Sequence, residues 1–514
     1  MSKDVLIGID AGTSVIKSVA FDLSGKQIAV ASTPNIYTTR SDGAAFQSLR
    51  KTWDDCATTL RMLGEKVPNL AQRTVAVAVT GQGDGTWLVG EDNEPVTDGW
   101  IWLDARSTPA VDRLSTLETD RARFEATGTG LNCCQMGSQL SHMLATTPEY
   151  LDKAEVALHP KDWLYLKLTD IRATDPSEAC FTFGNFRTRD YDETVIDALD
   201  LSSYRHLLPE IIDGTQTHHV LTASAARETG LLAGTPVVLG FVDVVCTGLG
   251  SGVFTGQEDV GCSILGSTGM HMRAKLSNDV ILGKEATGYV MVLPIPDMVL
   301  QIQSNMAATL NIDWLLKLAS DLISNFGNEI DHSTLVKSID GWLEESQPAS
   351  LMYHPYISEA GERGPFINPF ARASFQGLNS SHRFPDLLRA VIEGLGLASR
   401  DCYSVMGQLP KEIRLTGGAA KSIALRHIIS SVLNSPVRYS DREEAGAAGA
   451  AMMAAVSIGI YDDMHSCIKE WVSPLLGNIE FPDSTLSATY DKLFNAYRAH
   501  RTSSEPTWQE LAKL

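Results

Sequence analysis

Residues 9–18 read IDAGTSVIKS, and this stretch decides the fold that the sequence predicts. Apolar runs lie on both sides of it, at 5–9 and 15–21, and their spacing predicts two β-strands joined as a hairpin with 11–14 at its tip. Gly12 lets the backbone approach an anion closely, and successive amides at such a tip can form an anion-binding nest. An ordinary turn is the alternative, since Asp, Gly, Thr and Ser are common turn residues.

The tip has the composition of a phosphate-binding loop. Thr13 and Ser14 add hydroxyl donors to the amides beside Gly12. Asp10 stands at the end of the first strand, where a carboxylate beside bound phosphate is useful chiefly for holding Mg²⁺ through water. We therefore predict phosphate contacts at Gly12, Thr13 and Ser14 and a metal contact at Asp10.

The pattern of this hairpin recurs in the second half of the chain. Residues 260–265 form a predicted strand, 266–269 read GSTG, and 270–274 alternate again as a second strand. The repeat indicates two related domains that face each other. Their two tips could hold one triphosphate from opposite sides, with Gly266, Ser267 and Thr268 as nucleotide contacts.

Bulk composition limits the class of protein. A chain of 514 residues is too long for one typical core, so we expect two domains, at 1–254 and 255–514. A net charge of −20 disfavours nucleic acid or an anionic membrane as partner. Eight cysteines are few for this length and favour reduced thiols in a cytoplasmic protein. The apolar tract at 445–460 is too short to span a membrane and predicts a closely packed buried helix.

A glycine-rich segment follows the predicted strand at 75–79. It reads TGQGDG from Thr80 to Gly85, and ligands bind at such strand ends in α/β sheets. Gln82 and Asp84 offer the amide and the carboxylate that grip hydroxyl groups. A plain loop is the alternative.

A second polar segment, WIWLDAR, spans 100–106. Asp104 and Arg106 lie two apart on a predicted strand and therefore share a face. They could clasp one polyol or pair with each other, and pairing is favoured for Arg106.

Asp243 follows the predicted strand at 236–240 in an apolar neighbourhood. Burying a carboxylate costs several kcal/mol unless it is satisfied, so this residue needs a partner or a chemical role. We interpret Asp243 as a catalytic base, and a helix N-cap is the structural alternative.

Two helices and one further ligand segment are predicted. An apolar face at steps of three and four indicates a helix, formed by Phe46, Leu49, Trp53, Cys56, Leu60 and Leu63. A second helix is predicted at 385–406, where Gly394 and Gly396 indicate that something packs close. A strand at 413–416 opens into GGAAKS at 417–422. This is not a Walker A loop, because Ala420 replaces its second glycine, yet a glycine pair entering a helix can let an adenosine lie on the backbone.

These motifs together resemble the FGGY carbohydrate kinases of the actin-like ATPase superfamily. The resemblance covers most of the chain and implies an α/β fold of two ribonuclease-H-like domains flanking a catalytic cleft. It also implies roles for particular residues. The two tips would be the phosphate hairpins, Asp243 the general base, Gly417, Gly418, Ala419 and Ser422 the adenosine motif, and Gln82, Asp84, Trp102 and Asp104 the sugar-binding residues.

The activity that the resemblance implies is phosphorylation of a primary hydroxyl of a small polyol or ketose, with ATP and Mg²⁺. The family's first signature usually has a Lys and a Trp where this chain has Gln139 and Met143, which leaves the substrate open. The sequence of the segment 81–85 resembles most that of erythritol kinases, and xylulose or L-xylulose kinases come next. A homodimer is expected from the family. The rival from another class is a nucleotide-dependent sensor of the same superfamily, against which Asp243, Gln82, Asp84 and Asp104 argue.

Overall fold

A computed structural model of the chain describes residues 3–256 and 259–513. The strands of its first half are β1 (Val5–Ala11), β2 (Val15–Asp22), β3 (Gln27–Pro34), β4 (Thr38–Thr39), β5 (Ala45–Gln47), β6 (Thr74–Gly81), β7 (Trp87–Val89), β8 (Gly99–Trp100), β9 (Val156–Leu158), β10 (Ala173–Thr174), β11 (Gly184–Asn185), β12 (Asp190–Tyr191), β13 (Glu210–Ile211), β14 (His219–Val220) and β15 (Pro236–Leu239). Its helices are α1 (Leu49–Lys66), α2 (Leu70–Arg73), α3 (Thr108–Leu114), α4 (Thr119–Thr127), α5 (Met136–Thr146), α6 (Pro148–Asp152), α7 (Pro160–Thr169), α8 (Pro176–Thr182), α9 (Glu193–Ala198), α10 (Ala223–Thr229) and α11 (Asp243–Ser251).

The strands of the second half are β16 (Val260–Leu265), β17 (Gly269–Leu276), β18 (Tyr289–Val292), β19 (Met298–Asn305), β20 (Met352–His354), β21 (Ser374–Gln376), β22 (Glu412–Thr416), β23 (Val437–Ser440) and β24 (Leu476–Glu480). Its helices are α12 (Thr309–Ser324), α13 (His332–Glu345), α14 (Phe384–Val405), α15 (Ile423–Leu433), α16 (Ala445–Ser457), α17 (Met464–Trp471) and α18 (Ser484–Leu511). Short 3-10 helices cover Ser202–Leu207, Ser277–Asp279, Ala419–Lys421 and Ser473–Leu475.

Two large sheets repeat one topology. The first has the order β14-β15-β6-β1-β2-β3, with β1 antiparallel to β2 and parallel to β6. The second has the order β18-β19-β17-β16-β22-β23-β24, with β16 antiparallel to β17 and parallel to β22. Both sheets therefore contain the same unit, a strand that pairs with its hairpin partner on one side and with a parallel strand on the other. This confirms the predicted α/β fold class of two ribonuclease-H-like domains.

Both predicted hairpins are present, with tighter turns than the sequence indicated. β1 ends at Ala11 and β2 begins at Val15, so the first turn is 12–14. Gly269 pairs with Leu265, so the second turn is 266–268.

Two element boundaries were predicted wrongly. Phe46 lies in β5, and α1 begins only at Leu49, because the Ser48 hydroxyl accepts from the Lys51 amide and caps the helix. The strand predicted through 106 ends at Trp100. The Asp104 carboxylate accepts from the Arg106 amide at 3.0 Å, and such local side-chain bonds to the backbone compete with strand pairing.

The predicted Ala-rich helix is α16, in which every residue from Ala445 to Ala455 is buried. Its small residues permit backbone contact. A Cβ on Gly8 of β1 would collide with the Ala447 carbonyl, and one on Gly449 would collide with the Cys246 carbonyl in α11. Helix α16, from the second half of the chain, therefore packs directly on the first sheet. Within the described ranges, no helix has the length and apolarity that crossing a membrane requires.

The glycines of α14 behave as predicted. A Cβ on Gly394 would come within 2.6 Å of the Tyr353 carbonyl oxygen, and one on Gly396 within 3.0 Å of Val432. Close packing thus explains why α14 carries glycines that weaken an isolated helix.

Candidate active site

Asp243 is the first residue of α11, directly after the turn that follows β15. Val242 occupies the N-cap position, so the N-cap alternative for Asp243 does not hold. The turn is fixed on two sides, since Thr80 Oγ1 donates to the Phe241 carbonyl at 2.6 Å and the Val242 amide donates to Ser177 Oγ at 3.1 Å. The carboxyl group of Asp243 is therefore carried on a rigid helix start.

Asp10 faces the first turns of α11 and α16. A Cβ on Gly446 would lie 2.7 Å from Asp10 Oδ2 and 3.3 Å from Thr247 Oγ1. Thr247 comes four residues after Asp243, hence on the same face of α11. The structure thus brings the predicted metal residue and the predicted base to one location.

Burial and neighbouring carboxyl groups raise the pKa values of Asp10 and Asp243. Burial raises the pKa of Asp10 to about 6, while Lys17 opposes the shift and Glu444 adds to it. Burial also raises the pKa of Asp243 well above its usual range, and the charges of Asp10, Glu178 and Asp84 raise it further. Asp10 and Asp243 still keep part of their surface open to solvent. Ionisable groups that are perturbed in this way and remain accessible are typical of functional sites.

The first hairpin tip contacts the predicted substrate residues. Thr13 Oγ1 donates to Gln82 Oε1 at 2.9 Å and accepts from Trp102 Nε1 at 2.8 Å. Gln47 completes the network, because its side-chain amide donates to the Thr13 carbonyl at 2.8 Å and its Oε1 accepts from Gln82 Nε2 at 2.7 Å. Phosphate loop and substrate segment therefore form one connected unit.

Asp84 presents a free acceptor. Its backbone is left-handed, with φ of 60°, a conformation that costs a non-glycine residue on the order of 1 kcal/mol. Oδ2 accepts from Cys134 Sγ at 3.2 Å, whereas Oδ1 is buried and has no hydrogen-bond partner within the described chain. Burial raises the pKa of Asp84, and His159 and Arg363 oppose that shift.

Asp104 is fully buried and pairs with Arg106. The two side chains form an ion pair at 2.6 Å, and Asp104 Oδ2 also accepts from the Ala45 amide at 2.8 Å. The sequence left open whether Asp104 and Arg106 clasp a polyol or pair with each other, and the structure shows that they pair with each other. A contact between Asp104 and substrate stays a prediction.

The second hairpin tip is anchored through its carbonyl groups. The carbonyls of Gly266 and Ser267 accept from the amides of Thr309 and Ala308, at 2.9 and 2.7 Å. The residues Ser267 and Thr268 are themselves exposed. The tip is thus fixed while its hydroxyl groups stay accessible to a ligand.

The predicted adenosine motif lies beside this hairpin. A Cβ on Gly417 would come within 2.5 Å of the Leu265 carbonyl oxygen, whereas one on Gly418 would meet open space. Ala419 begins a 3-10 turn, and Ser422 caps α15 by accepting from the Leu425 amide at 3.1 Å. The Ser422 hydroxyl also donates to Asp340 at 2.6 Å. Structural bonds therefore already use this hydroxyl, and its nucleotide contact stays a prediction.

Sequence reasoning missed Glu178 and Arg363 as possible site residues. Glu178 lies in the first turn of α8, which Asp175 caps by accepting from the Ser177 amide at 2.8 Å. Its carboxyl group is nevertheless buried beside Gly83. Arg363 comes from the second half of the chain, and its charge opposes the rise that burial causes in the pKa of Asp84. The sequence feature that could have pointed to Glu178 is that it is the one acid in α8, a helix with several apolar residues.

Comparisons with known proteins agree with this geometry. Two family models match, described as the N-terminal and C-terminal domains of the FGGY family of carbohydrate kinases, over residues 5–250 and 261–458. An erythritol kinase of Brucella abortus is 61% identical over 509 residues, covering 99% of this chain and 98% of the relative. A xylulose kinase of Staphylococcus epidermidis is 25% identical, covering 97% of each chain.

Solved structures share the fold. A gluconate kinase from Lactobacillus acidophilus superposes with a TM-score of 0.87 at 22% identity, covering 99% of each chain. A glycerol kinase from Plasmodium falciparum superposes with a TM-score of 0.82 at 17% identity, covering 97% of this chain and 98% of that one. On the evidence of both matched domains, the chain belongs to the FGGY family of carbohydrate kinases, enzymes that use ATP to phosphorylate a sugar or polyol.

Proposed function

We propose that this kinase transfers the terminal phosphoryl group of ATP to a primary hydroxyl of erythritol. The observation that carries the proposal is the convergence of Asp10, Asp84 and Asp243 at the start of α11, beside the first hairpin tip. The choice of erythritol is supported by 61% identity to an erythritol kinase and by the sequence GQGDG at 81–85.

Asp243 would act as the general base. Its carboxylate would orient the hydroxyl and accept its proton as the new bond forms between that oxygen and the terminal phosphorus. The bond from this phosphorus to the bridging oxygen breaks, and ADP leaves with the electron pair. Because the transition state of phosphoryl transfer is loose, its stabilisation depends more on positioning and charge neutralisation than on a strong base.

The two hairpin tips would hold the phosphates. Backbone amides of Gly12, Thr13 and Ser14 on one side, and of Gly266, Ser267 and Thr268 on the other, would stabilise charge that develops on the phosphate oxygens. The adenosine would lie against Gly417, Gly418 and Ala419, near Ser422. Gln82, Asp84, Trp102 and Asp104 would position the acceptor.

Asp10 has the properties of a Mg²⁺ ligand. No hydrogen bond engages its carboxylate within the described residues, and no cluster of three or more ligating side chains occurs among them. In phosphoryl-transfer sites Mg²⁺ commonly takes one or two carboxylates and completes its shell with phosphate oxygens and water, so a single Asp fits. Bound there, Mg²⁺ would supply positive charge that neutralises the phosphates and favours ionised Asp243.

The proposal extends to the organisation of the chain. Domains at 1–254 and 255–514 are supported by the matched ranges, which end and begin at 250 and 261. Closure of these domains would exclude water as a competing acceptor. A cytoplasmic location and a homodimer belong to the same proposal.

An ADP-release assay over several acceptors tests the function. We expect erythritol to stimulate ADP release more than glycerol, the four-carbon ketose or the pentuloses. Higher kcat/KM with a pentulose would favour the xylulose or L-xylulose alternative. Absence of stimulation by every acceptor would favour a non-catalytic nucleotide sensor.

A further inference from the structure

We propose that Glu178 is a specificity-determining residue that binds a hydroxyl of the acceptor other than the one that is phosphorylated. The inference rests on the proposed function, because it assumes that the acceptor occupies the space between Asp84 and Asp243. It assigns this residue a ligand contact in place of a purely structural one.

The position of Glu178 joins two parts of the site. Its side chain is fully buried on α8, and its Oε1 lies 2.9 Å from the place that a Cβ on Gly83 would occupy. The same place is 2.6 Å from Val242 Cγ2. The carboxyl group therefore lies between the segment that carries Asp84 and the turn that carries Asp243.

Neither carboxyl oxygen of Glu178 has a hydrogen-bond partner within the described chain. His159 Nε2 lies 3.4 Å from Oε2, close enough for an ion pair, but without hydrogen-bond geometry. A buried carboxyl group without hydrogen bonds destabilises the fold, so a native structure that keeps one needs an explanation.

The cation of the neighbouring lysine is already used. Lys161 Nζ lies 2.5 Å from both Asp162 and Asp175, and all three side chains are fully buried. His159 Nδ1 lies 3.2 Å from Asp162 Oδ2, so only Nε2 of that ring faces Glu178, beside Oε2. Oε1 has no hydrogen-bond partner within the described chain, and we assign it to a donor that comes from outside the protein.

The chemistry of that donor follows from the groups that surround it. Glu178 and Oδ1 of Asp84 are hydrogen-bond acceptors without partners, and Asp243 adds a third carboxyl group. Every oxygen of a polyol can donate a hydrogen bond, whereas a ketose presents one carbonyl that only accepts. A site that holds a hydroxyl with buried polar groups rejects analogues that lack it, so these acceptors favour a polyol over the corresponding ketose.

The ionisation of Glu178 fits this role. Burial raises its pKa to about 7, His159 and Lys161 lower it, and Asp175 and Asp84 raise it. Above that pH the carboxyl group is ionised and only accepts hydrogen bonds, as the proposed contact with a hydroxyl requires.

The test compares Glu178→Gln with the parent chain on erythritol, its monodeoxy analogues that keep the phosphorylated hydroxyl, and the four-carbon ketose. A charge-assisted hydrogen bond lost to Gln lowers kcat/KM for erythritol by about 10- to 100-fold. The parent chain should use erythritol with a higher kcat/KM than each deoxy analogue. For the analogue that lacks the hydroxyl bound by Glu178, this ratio of kcat/KM values is expected to fall at least about fivefold in the variant, as for interacting pairs in a double-mutant cycle. The preference for polyol over ketose is expected to fall.

Glu393→Gln is the matched control. Glu393 is also a buried carboxylate, but protein donors satisfy it, with Tyr490 at 2.6 Å and Arg389 at 2.9 Å. We expect this variant to keep the parental pattern among the acceptors. Should Glu178→Gln fold poorly, as judged by circular dichroism, Glu178→Asp keeps the charge, withdraws it by one methylene and serves the same comparison.

The outcomes separate the two proposals. Parental KM values and an unchanged deoxy pattern in Glu178→Gln would overturn the inference and leave the proposed function intact. Absence of erythritol-stimulated ADP release from the parent chain would overturn both.

Discussion

The hydroxyl of Thr13 donates a hydrogen bond to Oε1 of Gln82 at 2.9 Å. Thr13 lies at the tip of the first hairpin, and Gln82 directly follows β6, the strand parallel to β1. Two residues 69 positions apart thus connect the predicted phosphate loop to the predicted acceptor segment. Occupancy of either ligand site should therefore affect the geometry of the other.

Thr13→Val tests this connection. The variant keeps the shape of the side chain but removes the donor to Gln82 and the acceptor for Trp102. We expect KM to rise severalfold for both ATP and erythritol in steady-state assays. Thr58→Val on α1 is the control, because the Thr58 hydroxyl likewise donates one hydrogen bond, to the Asp54 carbonyl, and accepts one, from Arg61. A rise in one KM alone would show that the two segments act independently.

Asp243→Asn should abolish most turnover and leave nucleotide binding in place. The amide cannot accept the proton of the hydroxyl, and loss of a general base typically costs about 10²- to 10⁴-fold in rate. Calorimetric titration with ADP should give the parental affinity, and an ADP-release assay should show the loss. Asp321→Asn, at an exposed position on α12, is the control. Near-normal turnover would remove Asp243 from the role of base.

Asp10 should make stability depend on pH. Its folded-state pKa of about 6 exceeds its usual value of 3.8, so the native state holds a proton that the unfolded chain releases. The associated stability is present below the usual pKa and is lost as pH rises through about 6. Asp10→Asn, which carries no charge, should gain up to about 3 kcal/mol over the parent above that pH.

Denaturant unfolding at pH 5 and pH 8 measures this difference, with Asp321→Asn again as the control. The same variant should lose activity, as expected where a functional group destabilises the fold. Equal pH slopes in Asp10→Asn and the parent would contradict the assignment.

Gly446→Ala should impair activity without unfolding the chain. The added methyl group would lie 2.7 Å from Asp10 Oδ2 and would displace that carboxylate from the position proposed for Mg²⁺. We expect the Mg²⁺ concentration at half-maximal rate to rise at least about tenfold. Gly341→Ala is the control, since its methyl group on α13 meets open space and improves helix propensity. An unchanged Mg²⁺ dependence would show that Asp10 does not hold the metal.

Local patterns predicted those parts of the fold that local forces determine. The runs on either side of Gly12 and of Ser267 predicted both hairpins because alternating apolar residues and a small-residue turn are sufficient for that motif. The prediction failed at Phe46, whose apolar spacing continues the helix although the Ser48 cap excludes it. It failed again at Asp104, whose side chain bonds to the local backbone in place of a strand partner.

The candidate site divides in the same way. Asp10, Asp84 and Asp243 stood out because each follows a predicted strand, and strand ends in α/β folds are where ligands bind. Glu178 did not, because it lies inside a helix and its importance comes from Gly83, His159 and the turn before Asp243. These neighbours are far apart in the chain, and no sequence spacing relates them.

The sequence by itself determined the two hairpins, their repetition in two domains and the acids at the strand ends, because periodicity and turn chemistry act over a few residues. Only the tertiary structure decided which of these acids meet. Helix α16 comes from the second half of the chain yet packs on β1 at Gly8 and on α11 at Gly449, and these contacts set Gly446 against Asp10. Such convergence depends on backbone approach between distant segments, which small residues permit but no local pattern specifies.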